Sequence, residues 1–125
     1  MDSHLVAIVD DEKVVRRAIG RLVGSAGLQS ETFSSAEDFL RAFPNRGPDC
    51  LVLDLRLPGM SGLELQQQLA ANHNRTPIVF VSAHDDPDTR AQALKAGAVA
   101  FLAKPFKEEA LLEAIRSATE SASPK

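Results

Sequence analysis

Five short apolar stretches alternate with five longer segments in which apolar residues recur every three or four positions. The stretches are Leu5-Val6-Ala7-Ile8-Val9, Leu28 to Phe33, Cys50-Leu51-Val52-Leu53, Ile78-Val79-Phe80-Val81 and Ala98-Val99-Ala100-Phe101-Leu102. The first, third and fourth show no polar alternation and are rich in β-branched residues, the pattern of strands covered on both faces. The second contains Gln29, Ser30, Glu31 and Thr32, which suits an edge strand.

The intervening segments predict helices. Val14, Ala18 and Leu22 repeat at four-residue spacing, and so do Val15, Ile19 and Val23, giving one broad apolar face closed by Gly27. Ser34-Ser35-Ala36-Glu37 and Ser61-Gly62-Leu63-Glu64 each offer a capping box. Asp86-Pro87 reads as an N-cap followed by proline in the first turn of a helix that ends near Gly97. The last helix starts near Lys107 and buries Leu111, Ile115 and Ala118. Five strand-helix alternations joined by right-handed crossovers give a doubly wound α/β fold, an open parallel sheet with helices on both faces. In such sheets the functional crevice lies at the carboxyl ends of the strands.

Composition narrows the classes. With 125 residues the chain fits one domain, here 1–120, and residues 121–125 read as a small polar tail or linker stub. The net charge of -3 argues against nucleic-acid binding, which needs a surplus of Lys and Arg on one face. Neither Trp nor Tyr is present, so a stacking platform would rest on Phe. The single Cys50 precedes an apolar run and reads as a buried small side chain. No apolar run approaches bilayer length, so the expectation is a cytoplasmic location and no membrane partner.

The candidate chemistry sits at the strand ends. Strand one runs into Asp10-Asp11, strand three into Asp54, strand four into Ser82, and strand five is followed by Lys104-Pro105. Singly, each has a plain structural reading: an Asp there caps the next helix, and a Lys before Pro is exposed. Together they place three mutually repelling carboxylates on one edge. Lys104 and a hard divalent cation would relieve that repulsion, and Mg²⁺ suits a few carboxylates, a carbonyl and waters. A carboxylate beside two cations can accept a phosphoryl group.

These residues, in this order, resemble the receiver domains of two-component response regulators. The resemblance is carried by Ile8-Val9-Asp10-Asp11-Glu12, by Leu53-Asp54-Leu55-Arg56-Leu57-Pro58-Gly59-Met60-Ser61-Gly62, by Val81-Ser82-Ala83, by Lys95-Ala96-Gly97-Ala98 and by Phe101-Leu102-Ala103-Lys104-Pro105-Phe106. It implies a flavodoxin-like (βα)5 fold with strand order 2-1-3-4-5. It implies a signalling switch rather than an enzyme, with self-phosphorylation from small donors and slow self-dephosphorylation. Asp54 is then the phosphoacceptor. Asp11 is a direct Mg²⁺ ligand, Asp10 holds the metal through water, and Asp54 and the Arg56 carbonyl complete the set. Lys104 pairs with phosphoryl oxygens and Lys104-Pro105 is a cis peptide. Ser82, often Thr in the family, and Phe101 are the switch residues, although Phe101 also reads as plain core. His84 and Arg56 stand where phosphate lifetime is tuned. The Phe33 to Leu40 segment resembles the nitrogen-fixation-regulator subgroup, whose receivers precede a helix-turn-helix output domain. The implied partners are a sensor histidine kinase, read on the first helix near Arg16, Arg17 and Arg21, an output domain or partner protein, and a second copy bound through the fourth helix, fifth strand and fifth helix.

Three rival readings meet the same residues. A flavodoxin-like electron carrier needs a Gly- and Ser/Thr-rich phosphate loop where this chain has Asp10-Asp11-Glu12. An aspartate-nucleophile phosphatase wants an acid two residues after the nucleophile, where this chain has Arg56. A stand-alone receiver or pseudo-receiver acting by protein-protein contact is the remaining alternative.

Overall fold

The computed structural model describes residues 4–84 and 86–122. Its strands are β1 (Leu5–Val9), β2 (Gln29–Phe33), β3 (Cys50–Asp54), β4 (Ile78–Ser82) and β5 (Ala100–Ala103). Its helices are α1 (Lys13–Ser25), α2 (Ala36–Ala42), α3 (Gly62–Ala71), α4 (Pro87–Lys95) and α5 (Glu108–Ala122). The strands form one sheet in the order β2-β1-β3-β4-β5, all parallel.

Alternation along the strands divides the core. Val6, Ile8, Val52, Val79 and Val81 face α1 and α5, meeting Ile19, Val23, Leu111 and Ile115. Ala7, Val9, Leu51, Leu53 and Phe80 face the other way, toward Phe39 of α2, Leu65 of α3 and Ala93 of α4. β1, β3 and β4 are therefore buried on both faces, which is why they carry no polar alternation. β2 is an edge strand, mostly exposed.

Register places the site. Leu53 of β3 pairs with Val9 of β1 and Phe80 of β4, and Ser82 pairs with Ala103. Asp10, Asp54, Ser82 and Lys104 thus arrive at the same edge of the sheet.

Several expectations need correction. The apolar face of α1 is narrower than the two columns in the sequence: Ile19 and Val23 are buried, whereas Val14 is 80% exposed and Ala18 is also exposed. One helix lying on a sheet buries a single stripe, and the Val14 column is rotated out of it at its first two positions. The cap of α2 is Ser35, whose Oγ accepts from Asp38 N–H, so Glu37 is not the box partner. Ser61 and Glu64 do form the expected box. β5 starts two residues later than its apolar run, because Ala98 still belongs to the turn that closes α4, donating its N–H to Ala93 O. Gly97, at φ +108°, makes that turn. Of the expected tail 121–125, residues 121 and 122 continue the α5 backbone, and 123–125 lie outside the described residues.

Candidate acidic site at the strand ends

The residues after β1 turn sharply. Asp10 Oδ1 accepts the N–H of Glu12 (2.9 Å), and Arg16 Nη1 donates to Asp10 O (2.7 Å). Asp10 is fully buried, while Asp11 is exposed at the mouth. The helix-cap reading of these aspartates does not hold: the N-cap of α1 is Glu12, with no side-chain cap bond.

Asp54 ends β3 with only 5% exposure, and its Oδ1 accepts the Arg56 N–H (3.3 Å). The carboxylates of Asp10, Asp11 and Asp54 each bring an oxygen within 4.8 Å of the others. The donor set is all hard oxygen, two of its three members are sequestered from water, and it therefore fits a small divalent cation such as Mg²⁺. Asp11, Glu12, Asp54, Arg56, His84 and Lys104 line a shallow cleft of about 260 Å³ over this cluster. A larger cleft of about 510 Å³ lies at the opposite end of the strands, around Gln66, His73, Arg75 and Thr76, and has no carboxylate in its wall.

Lys104 follows β5 and reaches back over the cluster. Its Nζ donates to Asp10 Oδ2 at 2.8 Å and stands 3.5 Å from both Asp54 Oδ2 and Glu12 Oε1. Its tightest partner is thus Asp10 rather than Asp54. Burial alone would pull the ammonium down, but the Asp10 hydrogen bond and the surrounding carboxylates outweigh it and hold its pKa above the ordinary value. Asp54 is raised as well, which for an acid disfavours the charged form. Desolvation first, then the Asp10 charge, raise it to about 6 against the pull of Lys104 and the Arg56 N–H. The Lys104–Pro105 peptide is cis.

Ser82 ends β4 fully buried, with its Oγ donating to His84 O (3.1 Å) and accepting the His84 N–H (3.0 Å). The hydroxyl is therefore engaged with its own loop. Phe101 is 5% exposed, tilted against Phe80 with ring centroids 6.0 Å apart, and the Arg90 guanidinium lies 5.3 Å from the centre of its ring. Its position satisfies the plain core reading.

The structure brings Asp10, Asp11, Asp54, Arg56 and Lys104 to one cleft, buries Ser82 just before the Ala83 and His84 that line it, and packs Phe101 on Phe80. Sequence reasoning missed Glu12 as a partner of Lys104 and Arg16 as a brace on the Asp10 backbone. The acidic run Asp10-Asp11-Glu12 was the available signal for the first. Nothing in sequence marks the second apart from its six-residue distance from Asp10.

Comparison with known proteins agrees with this geometry. Residues 6–116 match the response regulator receiver domain family. The response regulator protein TodT of Pseudomonas putida is 47% identical over 120 residues, covering 96% of this chain and 53% of TodT. The transcriptional regulatory protein FixJ of Bradyrhizobium diazoefficiens is 36% identical over 119 residues, 95% of this chain and 58% of FixJ. The chain thus spans about half the length of these curated relatives. Among solved structures, that of the response regulator StyR has a TM-score of 0.87 at 46% identity, covering 97% of this chain and 61% of that one. The crystal structure of FixJ-N has a TM-score of 0.88 at 37% identity and covers 100% of both chains. No helix among the described residues is long and apolar enough to cross a membrane. The chain belongs to the response regulator receiver domains, the signalling modules of two-component systems, and its relatives include the FixJ subgroup of transcriptional regulators.

Proposed function

We propose that this receiver is a phosphorylation switch that accepts a phosphoryl group from a sensor histidine kinase onto Asp54, with Mg²⁺, in the cytoplasm. The observation that carries the reading is a nearly buried carboxylate at the end of β3 facing an ammonium and two further carboxylates. An Asp54 oxygen bonds to phosphorus while the bond from phosphorus to the donor's nitrogen or oxygen breaks, its electron pair leaving with the donor. With a pKa of about 6, Asp54 is largely ionised at pH 7.5 and able to attack. Asp10, Asp11, Asp54 and the Arg56 carbonyl would hold Mg²⁺, which when bound neutralises charge on the phosphoryl oxygens. Lys104 supplies a second positive charge, shifting from Asp10 toward the new group.

The new dianion offers acceptors that the carboxylate lacked. Ser82 would exchange its His84 partner for a phosphoryl oxygen, and Phe101 would report the change on the outer face of β5. The exposed Arg17 and Arg21 of α1, with Arg16, are the proposed kinase contact, and the face formed by α4, β5 and α5 the proposed dimer contact. The receiver proper runs to the end of α5 at Ala122, and the relatives extend well beyond the matched region, which leaves room in them for an output domain.

The test is intact-mass spectrometry after incubation with acetyl phosphate and Mg²⁺. One added phosphoryl group, lost in Asp54→Asn, is the expected result; no mass gain in the wild-type chain overturns the reading. Sizing with and without beryllofluoride tests the dimer contact, and an unchanged monomer counts against it.

A further inference from the structure

The loop from β3 to α3, residues 55–61, carries the Arg56 carbonyl. Its ends are fastened by backbone bonds: Leu55 N–H donates to Val81 O (3.1 Å) and Gly62 N–H to Leu55 O (2.9 Å). Its middle is held from elsewhere. Met60 N–H donates to Glu37 Oε2 at 2.9 Å, across 23 residues of sequence. Among the described residues this is the one hydrogen bond that ties the interior of the loop to another helix. The Met60 hydrogen bond is also the leading cause of a Glu37 carboxyl below its ordinary range, the direction expected of a carboxylate that accepts a backbone N–H.

Gly59 gives an independent view of the same contact. Its φ is +75°, and a Cβ built there would stand 2.6 Å from Glu37 Oε2. The carboxylate therefore lies directly over the turn, in space that only glycine leaves open. Glu37 is free for this task because Ser35, not Glu37, completes the cap of α2. Its place in the first turn of α2 also suits a negative charge.

We propose that Glu37 is a positioning residue for the acidic site, holding through Met60 the loop conformation in which the Arg56 carbonyl serves a bound divalent cation. The inference rests on the reading of Arg56 as a metal ligand and deepens it by placing part of the site's support on α2, which contributes none of the three clustered carboxylates. A carboxylate accepts a backbone N–H more strongly than a neutral oxygen does. Glutamine in its place would still offer an oxygen, and alanine would offer nothing.

The experiment is calorimetric titration of the full chain with Mg²⁺ alone, comparing wild type with Glu37→Ala, Glu37→Gln and Glu37→Asp. Metal-free melting temperature and the ¹⁵N amide signal of Met60 are recorded alongside. Glu37→Ala is expected to raise the Mg²⁺ Kd roughly three- to tenfold, at or below the low end known for residues that orient ligands. The melting temperature should change little, and Glu37→Gln should recover most of the affinity. Because Gly59→Ala also strains a φ of +75°, Glu37→Asp, one methylene too short for Met60, keeps the test open if Glu37→Ala does not fold, and it should weaken Mg²⁺ similarly. A wild-type Kd in Glu37→Ala overturns the inference alone. So does a loss that follows a collapsed melting temperature and is not recovered by Glu37→Gln. A wild-type chain that takes up no Mg²⁺ overturns the metal reading, and this inference with it.

Discussion

Replacing Asp54 by Asn is expected to make the metal-free protein more stable. Asp54 is almost buried and faces Asp10, and its pKa is raised from 3.8 to about 6. The folded state therefore binds the proton more tightly than the unfolded chain. Below pH 3.8 both states are protonated and the group contributes nothing. Between 3.8 and about 6 the folded state holds more protons, so stability falls as pH rises, and above 6 the full penalty stands. At 1.36 kcal/mol per pKa unit, that penalty is about 3 kcal/mol at pH 7.5 and about 1 kcal/mol at pH 4.5. Asparagine removes the charge and keeps an oxygen for the Arg56 N–H. The assay is urea unfolding in chelator, followed by far-UV circular dichroism because the chain has neither Trp nor Tyr. The expected gain is about 3 kcal/mol at pH 7.5, shrinking toward pH 4.5. Added Mg²⁺ should stabilise the wild type and leave the Asn variant less affected. A variant that is no more stable than wild type at pH 7.5, or a gain independent of pH, would refute the reasoning.

Three further outcomes follow from the same geometry. Lys104→Met strips the ammonium from two carboxylates that have little access to water, and should cost about 3–5 kcal/mol in urea unfolding at pH 7.5, with partial recovery at pH 5 as the pair takes up a proton. Gly62→Ala places a Cβ 2.5 Å from the Asp54 carbonyl oxygen, so α3 must back away from β3; a loss of about 1–3 kcal/mol and slower phosphorylation by acetyl phosphate are expected. Cys50 is fully buried and its thiol is pushed up to about 12, chiefly by desolvation, so a disulfide reagent at pH 8 should label it far more slowly in the native protein than in urea.

The strands were legible because burial on both faces leaves no room for polar alternation, and β1, β3 and β4 have none. Asp10, Asp11, Asp54 and Lys104 were legible because each stands at the end of such a run. What escaped depends on geometry that one-dimensional spacing does not encode. The α1 pattern did not reveal that Val14 would face solvent, since burial is decided by how the helix lies on the sheet. Ser34-Ser35-Ala36-Glu37 fits a capping box by spacing, but the helix begins one residue later and frees Glu37 for Met60. The preference of Lys104 for Asp10 over Asp54 depends on fractions of an ångström between side chains 94 and 50 residues away from it.

That separation bears on synthesis. Lys104 lies near the end of the matched region, after every strand has been made. Until β5 docks, Asp10 and Asp54 face each other with no ammonium between them. A chain emerging from the ribosome holds Asp10 and Asp54 early but acquires the ammonium that pairs with both of them after β5. If Asp54 is the phosphoacceptor proposed above, competence for phosphoryl transfer would require all five strands to be in place, because Lys104 follows the last of them.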